Sequence, residues 1–166
     1  MSKSSDELVD VLDDSGNVVG VVTRREMRLR RLPHRCVYVL VFDSLGQLFI
    51  HHRTATKDLY PSQWDVCVGG VLATGESFDE AARREAGEEL GVELDPQPLF
   101  PFRYSDGVTI AHAMVYRAIH DGPFNLQPEE IVRGEFVALN EVGDRVKRDP
   151  FCPDGLQVWA EYQRRL

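Results

Sequence analysis

Gly70-Val71-Leu72-Ala73-Thr74-Gly75-Glu76-Ser77-Phe78-Asp79-Glu80-Ala81-Ala82-Arg83-Arg84-Glu85-Ala86-Gly87-Glu88-Glu89-Leu90-Gly91-Val92 is the stretch on which the reading of this chain turns. Ser77-Phe78-Asp79-Glu80 has the spacing of a capping box, in which serine and glutamate side chains satisfy the free amide donors of a helix start. Gly91 stands where a helix commonly stops, so the spacing predicts a helix from Ser77 to about Leu90. At about 100° per residue, Phe78, Ala81, Ala82, Ala86 and Leu90 form the apolar arc through which this helix must pack. Glu85 and Glu89 fall inside that arc and Glu88 lies at its edge. Three carboxylates spaced i, i+3 and i+4 therefore share a face directed at protein rather than bulk water. Crowded in this way they repel one another unless a counter-charge is present. Mg²⁺ suits that need, because it takes oxygen ligands at roughly 2.0 to 2.1 Å, usually from a couple of carboxylates plus waters and substrate phosphates. For a carboxylate trio alone, a solvated helix face is the commoner explanation. The surrounding sequence decides between the two.

Upstream, Leu8 to Leu12 and Val18 to Val22 flank the turn-rich Asp13-Asp14-Ser15-Gly16-Asn17, so residues 8 to 23 read as a β-hairpin appended to the core. Arg24 to Arg31 holds five arginines around Met27 and Leu29, with Pro33 closing whatever short helix forms there. Val37 to Phe42 and Leu48 to Ile50 are apolar on both faces and are joined through Asp43-Ser44-Leu45-Gly46, as expected for strands of a central sheet. A loop around Pro61 follows, and Gly69, Gly70 and Gly75 lead into the helix. Downstream, a second hairpin spans Leu99 to Tyr116 with its turn at Ser105-Asp106-Gly107. Glu135 to Leu139 reads as a last strand, and Leu156, Trp159 and Tyr162 place an apolar stripe on a C-terminal helix. The pattern is that of an α/β (α+β) protein, a mixed β-sheet between helices with an N-terminal hairpin extension. Residues 1–33 form the appendage and residues 34–166 the main body of one domain, a length that buries a continuous core and carries a cleft.

No apolar run is long enough to span a bilayer, and Met1 to Glu7 lacks the apolar region of a secretory signal, which points to a cytoplasmic protein with no membrane association. Cys36, Cys67 and Cys152 are too widely spaced for a disulfide framework or a zinc site built from close pairs, and read as reduced, buried thiols. A formal net charge of −8 argues against general nucleic-acid binding, since phosphate backbones are held mainly by Lys and Arg. An acidic protein that handles phosphates needs bound cations.

From Gly70 the sequence runs through five residues to Glu76, through seven more to Arg84-Glu85-Ala86, and on to Glu88-Glu89, Gly91 and Val92. This resembles the complete Nudix box, G-x5-E-x7-R-E-U-x-E-E-x-G-U with U apolar, without departure. Seven fixed residues plus two apolar positions give a chance match on the order of 10⁻⁷ for a chain of this length. The resemblance extends more loosely from about His34 to the C-terminus. It implies a hydrolase that cleaves a phosphoanhydride bond in a small-molecule diphosphate substrate. Glu85, Glu88 and Glu89 then hold Mg²⁺ or Mn²⁺, with the backbone carbonyl of Gly69 as a further ligand. It also implies that Glu76 and Arg84 form an ion pair that orients the ligands without touching substrate. The proton of the attacking water goes to a base drawn either from the box, here Glu85, or from a later loop, where Glu130 is favoured over Glu129 as base or extra ligand. Catalysis thus rests on Glu85, Glu89 and Glu130.

His34-Arg35, the segment from Arg53 to Lys57, Trp64 and Phe151-Cys152-Pro153 are similar to the Nudix branch containing isopentenyl diphosphate isomerase. That enzyme uses a cysteine where this chain has Gly69, and Cys67, two residues earlier on an extended strand, would face the same way. The isomerases have a degenerate box and a metal-binding histidine where this chain has Val71, so hydrolase is the stronger reading and isomerase the alternative. A diphosphate-ligand sensor is a third, against which the complete carboxylate set argues. Arg53 and Lys57 are candidate clamps for the distal phosphate of the substrate. The arginines from Arg24 have three readings: steering an anionic substrate, a homodimer contact, or pairing with surface acids. His51, His52, His112 and His120 show no metal-ligand spacing.

Overall fold

The computed structural model describes residues 5–166; Met1 to Ser4, on which the reading of the N-terminus partly rests, lie outside the described residues. β1 (Leu8–Leu12) and β2 (Val18–Thr23) pair antiparallel as the expected hairpin. Its turn is closed by Asp13, whose carboxylate accepts the amides of Ser15 and Asn17, both at 2.9 Å. β2 runs straight into α1 (Arg24–Arg30), which is capped by the Thr23 hydroxyl and stopped by Arg31 in the left-handed region. That stop comes two residues before Pro33. Val9 and Met27 bury against Val71, and Asp10 forms an ion pair with Arg35 at 2.5 Å. Asp10 also accepts from the Thr74 hydroxyl (2.6 Å) and the Gly75 amide (3.3 Å), so the hairpin grips the loop that leads into the long helix.

Seven strands make the main sheet: β3 (His34–Phe42), β4 (Leu48–Arg53), β5 (Trp64–Asp65), β6 (Val68–Val71), β7 (Gln97–Ser105), β8 (Ile110–Ile119) and β9 (Ile131–Val137). Their order is β5-β4-β3-β8-β7, with β6 paired to β3 and β9 to β4. The sheet is mixed because β3 runs parallel to β8, from His34 opposite Ala111 to Phe42 opposite Ile119, and antiparallel to β6. Alternation along β3 feeds two cores. Val37, Val39 and Val41 pack with Val68, Leu72, Ala82 and Leu90 on the face covered by α2 (Phe78–Leu90). Tyr38, Leu40 and Phe42 pack with Val142, Val158 and Trp159 on the face covered by α3 (Leu139–Arg148) and α4 (Pro153–Arg164).

Two boundaries differ from the sequence expectation. The last strand begins at Ile131 and ends at Val137, and Leu139, expected to close it, opens α3. That helix buries Val142 alone, so its apolar periodicity is too thin to read. The glycine-rich approach to α2 also contains strand structure, β5 and β6, although Gly69-Gly70 has the composition of a loop. No helix among the described residues is long and apolar enough to cross a membrane.

Candidate active site

The capping box closes as its spacing predicts: the Ser77 hydroxyl accepts the Glu80 amide and the Glu80 carboxylate accepts the Ser77 amide, both at 3.1 Å. The far end of α2 stops at Gly91 (φ 67°), where a Cβ would lie 2.4 Å from the Asn125 carbonyl oxygen. Between these fixed ends the register leaves Glu85 1% and Glu89 6% exposed, with Glu88 at 43% on the rim. Two carboxylates of the trio are thus withdrawn from water.

Glu76 and Arg84 make a two-pronged ion pair, Nε to Oε2 at 2.7 Å and Nη2 to Oε1 at 2.8 Å. Glu76 also accepts the Ala73 amide at 3.1 Å, so the pair ties the glycine-rich loop to the middle of α2. Nη1 of Arg84 lies 3.2 Å from Glu85 and 3.6 Å from Glu88, which sets a positive charge beside two of the trio. The three glutamates of this helix face are hard, anionic oxygen donors, the kind that fit a divalent cation such as Mg²⁺ or Mn²⁺. Gly69 lies beside the cluster. It has φ +151°, and a Cβ there would sit 2.0 Å from the Val37 carbonyl oxygen, so only glycine fits. That close approach sets its backbone against α2, where its amide donates to Oε2 of Glu89 at 3.1 Å.

Glu130 reaches the same region by a different route. The loop after β8 satisfies free carbonyls at the end of α2, with Asn125 N on Leu90 O and Gln127 N on Glu89 O, both at 2.9 Å. The Glu130 amide then turns back onto the Gln127 carbonyl at 3.0 Å. Its carboxylate is buried and ion-paired with Lys57. Glu89, Gly69, Lys57, Glu130 and Arg53 line one cavity. Arg53 is already engaged there: it donates to the carbonyls of Leu59 (2.8 Å) and Tyr60 (3.4 Å) and lies 3.8 Å from Asp65. Arg53 and Lys57 therefore enter the cavity as partners of protein groups, one holding the loop after β4 and the other compensating Glu130.

The same cavity has a floor that the sequence did not reveal. Asp65, on β5, and Asp154, at the start of α4, come together with Cys152 within 4.8 Å. Tyr38 donates to Asp154 at 3.0 Å and the Cys67 amide to Asp65 at 3.2 Å. Burial, and then the Asp154 charge, pushes the Asp65 carboxyl above its ordinary range, and burial raises Asp154 as well. Gly155 makes the approach feasible, since a Cβ there would meet Asp65 Oδ1 at 2.2 Å. Asp65 and Asp154 belong to separate elements and share no sequence spacing, so no local pattern announces their meeting. Cys67 also lines the cavity, but burial, followed by the Asp65 and Asp154 charges, lifts its thiol well above the ordinary value. A group so reluctant to ionise is a poor acid–base catalyst at neutral pH. Cys36, Cys67 and Cys152 are all free thiols; Cys67 and Cys152 are buried as expected, whereas Cys36, near the start of β3, is only half-buried.

The chain belongs to the Nudix family of pyrophosphohydrolases, enzymes that act on acid anhydrides: the NUDIX domain model matches residues 32–156. It is 41% identical over 163 residues to the Nudix hydrolase SCO1686 of Streptomyces coelicolor, covering 96% of this chain and 90% of that one. It is 33% identical over 163 residues to the Nudix hydrolase YfcD of Escherichia coli K12, covering 98% and 89%. Among solved structures, DR0079 from Deinococcus radiodurans superposes with a TM-score of 0.79 at 33% identity, over 96% of this chain and 98% of that one. The NUDIX domain of Shewanella oneidensis NrtR, solved with ADP ribose, shares the fold at a TM-score of 0.62 and 17% identity, over 79% and 86%.

Proposed function

We propose that the protein is a Mg²⁺-dependent hydrolase that cleaves the diphosphate linkage of a nucleoside diphosphate-linked or related small molecule by water attack on phosphorus. The observation that carries this reading is the contact between Gly69 and the buried Glu89 at the wall of the cavity, with Glu85 one helical turn away. Glu85, Glu88 and Glu89, with the carbonyl of Gly69, would hold the cation, and Mn²⁺ is the alternative ion. When bound, such an ion neutralises charge on the diphosphate and lowers the pKa of a coordinated water. Glu76 and Arg84 position the glutamates by pinning the loop to the helix. Glu130 is the favoured base, because it lines the cavity with Glu89 whereas Glu85 packs against Arg84. Lys57 holds Glu130 by its ion pair and, with Arg53, presents positive charge to the substrate phosphates. Residues 34–166 act as the hydrolase domain, with residues 1–33 as an appendage to it. Three free thiols are in keeping with a cytoplasmic location.

The test is a panel of nucleoside triphosphates, nucleotide sugars, dinucleotides and coenzymes incubated with Mg²⁺. Phosphate release is read with and without added phosphatase, which also reports the bond that breaks. Turnover that stops in EDTA and returns with Mg²⁺ is the expected result. Undiminished turnover by washed protein in EDTA, or none across the panel, overturns the proposal.

A further inference from the structure

We propose that Arg24 and Arg28, set on either side of Asp58, form a second anion-binding subsite in the active-site cavity. The substrate would then carry an anionic group, phosphate or carboxylate, apart from the diphosphate that is cleaved. This inference rests on the hydrolase reading for the identity of the first subsite.

The five arginines of the N-terminal segment divide by helical register. Arg24 and Arg28, four residues apart on α1, share a face. Their side chains are 13% and 18% exposed, whereas those of Arg25 and Arg30 are 61% and 60% exposed and pair with Asp6 and Glu26. The two inward guanidinium groups converge on a single carboxylate oxygen, Oδ2 of Asp58, at 3.0 and 3.1 Å. Burial alone would raise the Asp58 carboxyl, but Arg28 and then Arg24 hold it below its ordinary value, so it is ionised at neutral pH. Two positive charges share one negative charge, and the group keeps a net charge of about +1, with the two guanidinium groups more sheltered from water than the carboxylate between them. His34, beside it in the cavity, adds no charge at neutral pH, because burial and then Arg28 bring its pKa down to about 4.

Donors are also left over. Nε of Arg24 is buried and donates to no acceptor among the described residues, and the contact of Arg28 Nη1 with the Thr109 hydroxyl is long at 3.4 Å. A guanidinium offers five N–H groups in a planar fork, so an arginine that holds Asp58 by one edge still has another for a second oxyanion. Arg24, Arg28 and Asp58 line the same cavity as Gly69, Glu89 and Glu130, so both anion sites are within one substrate's surroundings. If these arginines only fastened α1 to the loop after β4, their loss would weaken all ligands alike. A subsite makes their loss selective for ligands that carry the extra anion.

The test uses ligand pairs that differ by one anionic group: NADPH with NADH and coenzyme A with dephospho-coenzyme A for phosphate, UDP-glucuronate with UDP-glucose for carboxylate. Equilibrium binding in Ca²⁺ and hydrolysis in Mg²⁺ are measured side by side for the parent, for Arg24→Ala/Arg28→Ala, and for the exposed control Arg25→Ala/Arg30→Ala. In at least one pair the parent should bind the charged member about tenfold tighter or more. That preference should shrink to within about twofold in the inward double variant and survive in the control. If the double variant fails to fold, Arg28→Gln alone should lose about half of the preference on a logarithmic scale. No charge preference in any pair, or one that persists without the inward arginines, overturns the subsite. Arginine-dependent binding without hydrolysis would uphold the subsite and sink the hydrolase reading, and hydrolysis without charge preference would do the reverse.

Discussion

The amide of Gly69 donates to Oε2 of Glu89 across 3.1 Å, joining β6 to the last turn of α2. It is the point at which the sheet and the carboxylate helix share a polar contact at the cavity wall, and it exists because Gly69 has no side chain. Gly69→Ala places a Cβ 2.0 Å from the Val37 carbonyl oxygen, a backbone atom in the middle of β3 that has little room to give. Strain of about 2 kcal/mol or more is expected, together with at least a tenfold loss of hydrolysis as the Glu89 contact opens. Thermal unfolding and kcat measured on the same preparation check both; a variant with parental Tm and rate would refute the argument.

Glu89→Gln keeps the shape of the side chain and removes its charge. If Glu89 holds the cation, kcat should fall at least about a hundredfold with the fold retained. Circular dichroism and initial rates at saturating Mg²⁺ decide the matter, and an active Glu89→Gln protein contradicts the assignment.

Glu76→Gln and Arg84→Ala should act through the ligands they position, lowering metal affinity about ten- to a hundredfold. Glu76→Gln is expected to be the worse of the two. It frees Arg84, already 3.2 Å from Glu85, to compete with the cation for that carboxylate, whereas Arg84→Ala removes the competitor along with the tether. Calorimetric titration of Mn²⁺ into each variant gives the order; equal affinities in all three proteins would reduce the pair to a plain structural tie.

Cys67→Ala should leave diphosphate hydrolysis within about twofold of the parent, since water attack on phosphorus needs no thiol and this thiol resists ionisation. The same variant distinguishes the isomerase alternative. Conversion of isopentenyl to dimethylallyl diphosphate by the parent, lost in Cys67→Ala and unaccompanied by hydrolysis of any nucleotide, would replace the hydrolase reading.

His51 is buried, and burial followed by the Arg53 charge takes its pKa down to about 3. In the unfolded chain an ordinary histidine titrates near 6.5, so between these values the unfolded state binds the extra proton. Stability from this group is therefore complete above about pH 6.5 and is lost as pH falls toward 3. Between pH 7 and pH 5 the parent should lose about 2 kcal/mol relative to His51→Leu. Denaturant titrations of both proteins at the two pH values test this, and a constant difference between them would show that His51 is not buried neutral.

The sequence by itself determined the carboxylate helix and the face its glutamates share. Ser77, Glu80 and Gly91 mark its ends because caps are local, and Glu85, Glu88 and Glu89 are legible as a trio because helical periodicity relates neighbours within one turn. The pairing of Glu76 with Arg84 was legible only through resemblance to a family, and the mixed sheet followed from apolar runs such as Val37 to Phe42. What the tertiary structure decided is everything that depends on residues far apart in the chain. The return of Glu130 depends on a loop hydrogen-bonded to the end of α2, and the Asp65–Asp154 floor depends on a start of α4 that carries no periodic signal. The meeting of Arg24 and Arg28 with Asp58 joins α1 to a loop some thirty residues later. In that segment the sequence shows five arginines of equal standing; only packing, by burying two and leaving others in water, gives them different work.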